Sequence, residues 1–350
     1  MAPKLQGPIS LDKLEDIFSN GGEQLRPILT NLNDDNAWLL SCPRPAAERA
    51  ATGRIYYHIA LDPWLTKEGA NLGFSWILGM KRTSEASAPD AAALGALVDR
   101  IEAIASMRES SNGAVQPSGH LPVDAIFISN ESGDHCHFET LSSFPSEVPV
   151  FAAPKAAQKI AGWKLFNTLI QTKSFNPATE SWQVAHPGSP LPEWITPIDI
   201  VGHTVAHFGL AIIISSQPPD HGSELHELIA LVPHGLLPTE PHLQNLTVTA
   251  SPPIKTLALM HPLKESWTLG VQIYLGVSNA LAIIRQSQAT YYVKTADLVL
   301  DYTGFLSYAL SEKPWTLQSG LEEERKVGGE GKPSELACHE VANGKCLVLV

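Results

Sequence analysis

The chain has 350 residues, of which 44% are hydrophobic and 17% charged, so it can bury one large core or two modest ones. Its formal net charge of −12 argues against a broad surface for nucleic acid or anionic membrane, since both bind clustered Lys and Arg. No apolar stretch approaches the roughly 20 residues of a membrane span, and no signal-peptide core is visible. The four cysteines are sparse, so we expect a reduced, cytoplasmic protein.

In the first half of the chain, helical and strand-like patterns alternate. An amphipathic helix is predicted over residues 9–20, with Ser10 as its N-cap, and a longer helix over 90–107, where apolar residues recur at helical spacing. Strands are predicted at 38–40, 54–61, 125–128 and 148–151. This alternation predicts an α/β protein.

The second half is richer in strands, separated by polar and proline-rich loops. Strands are predicted at 182–184, 198–201, 211–214, 228–232, 246–248, 257–260 and 290–293, and helices at 272–286 and 303–311. The polar, glycine-rich stretch 319–335 predicts a mobile linker, and the apolar tail after it a docked edge strand.

A polar loop, Ser129–His137, lies between the predicted strand at 125–128 and a predicted helix start at Glu139. It holds Asp134 and His135 side by side. Strand, tight polar loop and helix, with Asp and His in the loop, is typical of a metal-ligand or acid–base site. Cys136 is a weaker candidate as a nucleophile, because sequence neighbours seldom face each other in a loop.

This loop resembles the H-x-H-x-D-H signature of the metallo-β-lactamase superfamily. Asp134 and His135 match the last two positions, whereas Asn130 and Ser132 stand where the two leading histidines are expected. The strand ending in Asp62-Pro63-Trp64-Leu65 is similar to the lactonase-like branch, and the S-[NQ]-x-x-x-D-H-C-H form of the loop resembles several fungal proteins. The resemblance covers roughly residues 30–310.

The resemblance implies an α/β (α+β) fold, specifically a four-layer αββα sandwich. The domain organisation that we expect is an N-terminal helix and arm over 1–22, a metallo-β-lactamase-like domain over 23–318, a flexible linker over 319–337, and a C-terminal strand over 338–350 packed on the domain.

In a working member of the superfamily, later loops supply more ligands for one or two metals. Here His203, with His207 nearby, is the next candidate, and His234 stands after a strand where the bridging Asp is expected. The residues directly after the strand at 290–293, Lys294 to Asp297, include no His where the last ligand is expected. The predicted catalytic residues, which would also be the ligands if a metal is bound, are therefore Asp134, His135, His203 and His234.

We predict that substrate-binding residues surround these four. The predicted set is Asn130, Ser132, His137, His207, His261 and Trp64. A structural alternative is that Asp134 caps the following helix and His135 donates to a nearby carbonyl. No cofactor is expected, and a single Zn or other divalent metal is the alternative.

Three functional hypotheses follow from the altered loop. The first is a metal-independent enzyme that binds a hydrophobic small molecule and catalyses isomerisation, cyclisation or cycloaddition in secondary-metabolite biosynthesis, with Asp134, His135 or His203 as acid, base or hydrogen-bond donor. The second is a single-metal hydrolase of lactonase or thioesterase type. The third is a non-catalytic, ligand-binding pseudoenzyme. In none of the three hypotheses do we expect the protein to bind nucleic acid or to span a membrane, and the oligomeric state is left open.

Overall fold

The computed structural model divides the chain into two compact units, each with its own β-sheet and helices. The first unit comprises Met1–Ala70, Lys81–Ile170 and Val341–Val350, and the second Asn71–Met80 and Gln171–Glu340. The residues that the structure describes are 7–16, 25–67, 69–71, 76–109, 120–216, 224–326 and 337–350. The predicted mixed α/β class is confirmed, whereas the four-layer sandwich stays a prediction. The domain boundaries expected from the sequence, with a metallo-β-lactamase-like domain over 23–318, stay a prediction.

The described strands and helices are numbered in chain order. The strands are β1 (Ile9–Ser10), β2 (Ile28–Asn31), β3 (Trp38–Pro43), β4 (Tyr56–Leu61), β5 (Ala70–Asn71), β6 (Gly79–Arg82), β7 (Ala125–Ile128), β8 (Val150–Ala152), β9 (Leu169–Gln171), β10 (Ile195–Val201), β11 (Phe208–Ser216), β12 (Leu225–Leu231), β13 (Lys255–His261), β14 (Glu265–Thr268), β15 (Val271–Leu275), β16 (Tyr291–Lys294), β17 (Leu300–Thr303), β18 (Leu310–Lys313), β19 (Cys338–His339) and β20 (Lys345–Val348). The α-helices are α1 (Ala46–Thr52), α2 (Ala91–Glu109), α3 (Phe138–Leu141), α4 (Pro154–Trp163), α5 (Pro241–Gln244), α6 (Gly276–Ser287) and α7 (Leu317–Lys326).

The first unit is built on an eight-stranded sheet with the order β1-β20-β2-β3-β4-β7-β8-β9. Strands β2, β3 and β4 pair antiparallel, and β4, β7 and β8 pair parallel. Strand β7 is buried along its whole length, as its unbroken apolar sequence predicts for a parallel strand. Because β4 and β7 are parallel neighbours, the loops that follow them begin at the same edge of the sheet.

Helix α2 covers this sheet with one apolar face and confirms the helix predicted over 90–107. Its Leu94, Val98 and Ile101, at helical spacing, are buried in the same core as Ile126 and Ile128 of β7. The polar loop that follows β7 therefore begins at the end of a strand that is anchored in this core.

The second unit contains a six-stranded sheet with the order β10-β11-β12-β13-β16-β19 and a smaller sheet with the order β15-β14-β18. The first three strands of the larger sheet pair antiparallel, and β12, β13, β16 and β19 pair parallel. Helix α6 buries Val277, Ala280, Leu281 and Ile284 in the core of this unit. It begins four residues later than the predicted helix at 272–286, because residues up to Leu275 belong to β15.

Two of the predicted strands are helical turns instead. Residues Trp182–Ala185 form a 3-10 helix capped by the Ser181 hydroxyl, with the Trp182 indole donating to the Pro252 carbonyl at 3.0 Å. Residues Asn245–Thr249 continue the turn that begins at α5, and Leu246 is buried while Val248 is exposed. The short apolar runs matched a strand pattern, but local capping and one-sided burial favour a helix.

The terminal segments also differ in part from expectation. Helix α7 (Leu317–Lys326) covers residues 319–326 of the predicted linker, because Leu321 packs into the core of the second unit. Residues 327–336 lie outside the described residues. Of the helix predicted over 9–20, the described residues form β1, a 3-10 helix at Leu11–Lys13 and a short helical turn, and residues 17–20 lie outside the described residues. Ser10 makes no side-chain cap there. The predicted helix at 303–311 is a 3-10 helix, Phe305–Ala309.

Among the described residues, no helix combines the length and the apolar character that crossing a membrane requires.

Candidate functional site

The polar loop between β7 and α3 is shaped by its own backbone. The amides of His135 and Cys136 donate to the Ser132 carbonyl at 3.1 and 2.7 Å. Helix α3 then begins after His137, whose side chain accepts from the Thr140 amide. The predicted order of strand, loop and helix is confirmed, and the cap of the helix is His137 rather than Asp134.

Asp62 connects the end of β4 to this loop. Its Oδ1 accepts the Ser129 amide at 2.7 Å, and its Oδ2 accepts the Ser129 hydroxyl and lies 2.8 Å from His135 Nδ1. Asp62 has a φ of 42°, a left-handed conformation that non-glycine residues rarely adopt and that often marks a functional position. Neither Asp62 nor His135 has exposed surface, so this carboxylate fixes the orientation of the imidazole ring.

The other ring nitrogen of His135 faces polar side chains. Its Nε2 lies 3.4 Å from Asn36 Nδ2 and 3.5 Å from Asp134 Oδ2. Burial alone would lower the pKa of this imidazole, but the carboxylates of Asp134 and Asp62 outweigh it and raise the pKa of His135 to about 9. The ring is therefore an imidazolium at neutral pH, with a carboxylate on each side.

Asn130 and Ser132 occupy the two positions where the superfamily pattern has histidines. The Asn130 amide oxygen accepts the Ser132 backbone amide at 2.8 Å, so this side chain shapes the loop. The Ser132 hydroxyl is buried and has no hydrogen-bond partner in the described part of the chain. An amide and a hydroxyl are poor Zn ligands. The loop therefore does not fit the first metal of a dinuclear site, and of the four ligand positions in the superfamily pattern it keeps two, Asp134 and His135.

Cys136 is buried among apolar side chains of the first unit. Burial raises the pKa of its thiol to about 12, so the thiolate needed for nucleophilic attack is not formed near neutral pH. This argues against the Cys-nucleophile hypothesis.

The predicted substrate-binding residues His137 and Trp64 lie next to each other. Their ring centroids are 6.0 Å apart, and both side chains are almost completely buried. His137 Nδ1 lies 3.1 Å from the Thr140 hydroxyl and 3.4 Å from the Thr66 hydroxyl, and its Nε2 lies 3.3 Å from a Glu139 carboxylate oxygen. The first unit thus brings six of the predicted site residues together with Asp62: Trp64, Asn130, Ser132, Asp134, His135 and His137.

In the second unit, His203 and His207 form a pair. His203 Nε2 lies 3.2 Å from His207 Nδ1, and His203 Nδ1 lies 3.2 Å from a Glu240 carboxylate oxygen. Burial and the neighbouring His203 lower the pKa of His207 to about 4, so His207 is neutral near pH 7. The catalytic role of His203 and the substrate-binding role of His207 stay predictions.

His234 and His261 are held by other residues of the second unit. His234 Nδ1 lies 2.7 Å from the Ala206 carbonyl, and its ring packs against Phe208 and Tyr274. His261 is fully buried, with Nδ1 2.7 Å from the Pro262 carbonyl and Nε2 2.8 Å from the Asn279 side-chain oxygen. Burial lowers the pKa of His261. Both ring nitrogens of His261 are therefore bound within its own unit, and its role in substrate binding stays a prediction.

Sequence reasoning did not assign Asp62 or Asn36 to the site. Asp62 is the first residue of the segment Asp62–Leu65, which the sequence analysis placed at the end of a strand. Its contact with His135 depends on β4 and β7 being parallel neighbours. A polar residue directly after a buried strand was the available signal, since parallel strands end at one edge of a sheet.

Comparisons with known proteins reveal likeness at the level of the fold. No protein-family model and no curated protein matches the chain. Among solved structures, the chain is similar to an isothiocyanate hydrolase from Delia radicum gut bacteria, with 13% identity, a TM-score of 0.52, and coverage of 92% of this chain and 99% of that one. It is also similar to a possible metal-dependent hydrolase from Veillonella parvula, with 10% identity, a TM-score of 0.53, and coverage of 93% and 100%. Both have metallo-β-lactamase-type folds, which supports the resemblance noted in the sequence.

Proposed function

We propose that the chain is an enzyme that acts on a small, hydrophobic organic molecule by proton transfer, without a catalytic metal. The observation that carries this proposal is the position of the His135 ring, 2.8 Å from Asp62 at Nδ1 and 3.5 Å from Asp134 at Nε2. In acid–base catalysis, one carboxylate orients an imidazole while the other ring nitrogen exchanges protons. The replacement of two ligand positions by Asn130 and Ser132 favours this chemistry over a dinuclear metal.

The reaction class that we favour is isomerisation or cyclisation. His135 gives its Nε2 proton to a substrate carbonyl oxygen while Asp134 takes a proton from a neighbouring carbon, and the substrate rearranges to its enol. The Nε2–H and C–H bonds break, and two O–H bonds form. The proton on Asp134 then returns to Nε2 across the 3.5 Å contact. The substrate keeps all its atoms, so no water or other reactant is consumed.

Access to His135 requires a local movement. The side chain has no exposed surface, and Asn36 and Asp134 stand at Nε2. A substrate oxygen reaches this nitrogen when one of the two side chains turns away. Such gating excludes water from the proton-transfer step.

A single-metal hydrolase is the second candidate. A carboxylate on the far nitrogen of an imidazole is the usual support of a metal-binding His, and Asp62 provides it here. Asp134 and His135 would then be ligands, and further ligands would have to come from outside the loop, since catalytic Zn sites use three protein ligands. Such a metal would supply Lewis-acid chemistry and an activated water.

The two candidates predict products of different mass. Purified protein is incubated with a panel of unsaturated ketones, lactones and thioesters, and the products are separated from the substrate by liquid chromatography and then analysed by mass spectrometry. The proposed enzyme gives a product with the mass of its substrate, whereas a hydrolase adds the mass of one water molecule. A hydrolysed lactone or thioester as the only product would contradict the proposal.

Variants then test the residues. We expect D62N, D134N and H135N to lower kcat on the substrate found by about 10²-fold or more, the usual contribution of acid–base catalysis. H120N is the matched control, because His120 is an exposed histidine of the same unit. Wild-type turnover in all three site variants would exclude the assigned roles.

A further inference from the structure

Arg82, the last residue of β6, carries a buried guanidinium group in the first unit. Only 8% of the residue is exposed. Its Nη2 donates to the Leu65 carbonyl at 3.0 Å and to the Thr66 carbonyl at 2.7 Å. Its Cζ lies 5.1 Å from the centroid of the Trp64 ring. These contacts fix the plane of the guanidinium group.

The second terminal nitrogen of this group, Nη1, has no such contact. It is buried and has no hydrogen-bond acceptor in the part of the chain that the structure describes. Nor does any described carboxylate lie within 4.0 Å of the Arg82 nitrogen atoms. Burial lowers the pKa of Arg82, and the carboxylates of Asp35, Asp34 and Glu85 offset part of this effect without touching the group. A buried cation with an unused donor is strongly unfavourable unless an anion binds it.

The other buried arginines of the first unit are paired. Asp124 lies 2.6 Å from Arg44 Nη2 and 3.5 Å from Arg54 Nη1, and so serves both side chains. Arg54 Nη2 is itself buried without a hydrogen-bond partner in the described residues, so what these two guanidinium groups share is the carboxylate in contact with them. Arg82 is different, because the chain supplies a fixed orientation and no carboxylate in contact.

Arg82 also lies close to the proposed acid–base group. Its ring partner Trp64 is two residues after Asp62, and Trp64 packs against His137, which is two residues after His135. Two residues of extended chain span at most roughly 7 Å. Arg82 and His135 are therefore close enough for one organic molecule of moderate size to contact both.

We propose that Arg82 binds a carboxylate group of the substrate, which makes the substrate an organic acid. This inference rests on the proposed function and specifies its substrate class. One oxygen of the carboxylate accepts from Nη1, the nitrogen that the described residues leave without an acceptor. The carboxylate end is thereby fixed while the carbonyl of the same molecule faces His135.

A carboxylate fits this position better than a phosphate. A phosphate carries close to two negative charges and is usually bound by several cations or backbone amides. Here a single nitrogen is available, and Asp34, Asp35 and Glu85 give the surroundings a negative potential. A singly charged anion with one accepting oxygen matches that donor set.

Benzoate tests the proposal on the wild-type protein. Its binding is measured by calorimetry at constant ionic strength, with benzamide as the neutral molecule of equal shape and inorganic phosphate as the competing anion. We expect benzoate to bind at least tenfold more tightly than either. Equal binding of benzoate and benzamide, or tighter binding of phosphate, would overturn the proposal.

Variants of Arg82 locate the binding. We expect R82Q to weaken benzoate binding at least tenfold and R82K to weaken it less, while R100Q, at an exposed arginine of the same unit, leaves it unchanged. Because R82Q can disturb the Leu65 and Thr66 contacts, wild-type crystals soaked in 4-bromobenzoate provide the second measurement. A carboxylate oxygen within about 3.2 Å of Arg82 Nη1 supports the proposal, and a bromine signal only elsewhere contradicts it.

The variant H135N separates this inference from the proposed function. We expect H135N to keep wild-type affinity for benzoate, because His135 does not contact Arg82 in the proposed complex. Failed turnover together with intact, Arg82-dependent benzoate binding would refute the acid–base proposal alone. Intact turnover without benzoate binding would refute the carboxylate site alone.

Discussion

His135 shows how two carboxylates can link the ionisation of one residue to folding. The imidazolium form is favoured in the folded chain, because the pKa is raised from 6.5 to about 9. A pKa that is higher in the folded state stabilises the fold fully below the unfolded value and ceases to do so as the pH rises through the folded value. The stabilisation by this group is therefore complete below pH 6.5 and lost by about pH 9.

Removing one carboxylate tests this link. We expect D62N to lower the pKa of His135 by about one unit or more, because the direct hydrogen-bonding charge is lost. NMR titration of the His135 ring measures this, with D99N, at an exposed aspartate of the same unit, as the control. Urea unfolding of wild type and D62N should differ most below pH 6.5 and converge towards pH 9. A pH-independent difference would exclude the linkage.

Asp199 in β10 is the opposite case, a carboxyl group that folding places in an unfavourable environment. Burial raises its pKa from 3.8 to about 6, so the charged form reduces stability increasingly between these pH values and by a constant amount above them. We expect D199N to stabilise the protein by about 1–2 kcal/mol at pH 7 and by almost nothing near pH 4. Urea unfolding at both pH values measures the difference, with D301N, at an exposed aspartate of the same unit, as the control. A D199N variant less stable than wild type at pH 7 would contradict this account.

At the scale of elements, Glu102 fastens helix α2 to strand β4. Its two carboxylate oxygens accept hydrogen bonds from the Ile55 and Tyr56 amides, each at 2.8 Å. One of these oxygens also lies 2.9 Å from His58 Nε2. The other ring nitrogen of His58 lies 2.9 Å from the Ser41 hydroxyl. Desolvation alone would raise the pKa of Glu102, but the hydrogen bonds from His58 and the two amides lower it overall. Strand β4 in turn leads to Asp62, so this contact also supports the candidate site.

Truncating this side chain should be costly. We expect E102A to lower the free energy of unfolding by about 3–5 kcal/mol, because two backbone amides and an imidazole nitrogen lose their acceptor in a buried position. Chemical denaturation measures the loss. The control E147A removes an exposed glutamate of the same unit and should change stability by less than about 0.5 kcal/mol. Equal effects of the two substitutions would refute the role of Glu102.

The sequence correctly predicted those elements whose buried face can be identified from their own apolar pattern. Strand β7 and helix α2 have apolar patterns longer than a single turn, and both occur as predicted. The apolar runs at 182–184 and 246–248 are too short for their spacing to distinguish a strand from a helix. In the expected linker, Gly320 lets α7 approach Val277 closely, since a Cβ there would lie 2.5 Å from that side chain. Such a contact is invisible before the partner is known.

For the whole molecule, local sequence predicted the α/β class and the loop with Asp134 and His135. The contacts that give the site its chemistry join residues far apart in the chain. Asp62 lies 73 positions before His135, and Arg82 lies 17 positions after Leu65, whose carbonyl accepts its hydrogen bond. Sheet pairing brings the first contact about, and no pattern within a short window contains it. The division into two units likewise depends on contacts between distant segments.

The metal content of the purified protein tests the central claim most directly. Protein prepared without chelators, and again after incubation with Zn, Mn or Fe salts and gel filtration, is analysed by mass spectrometry of the elements. We predict well below one metal ion per chain in every preparation, and unchanged turnover after chelator treatment. One metal ion per chain that disappears in both D134A and H135A would contradict the claim and establish the single-metal alternative.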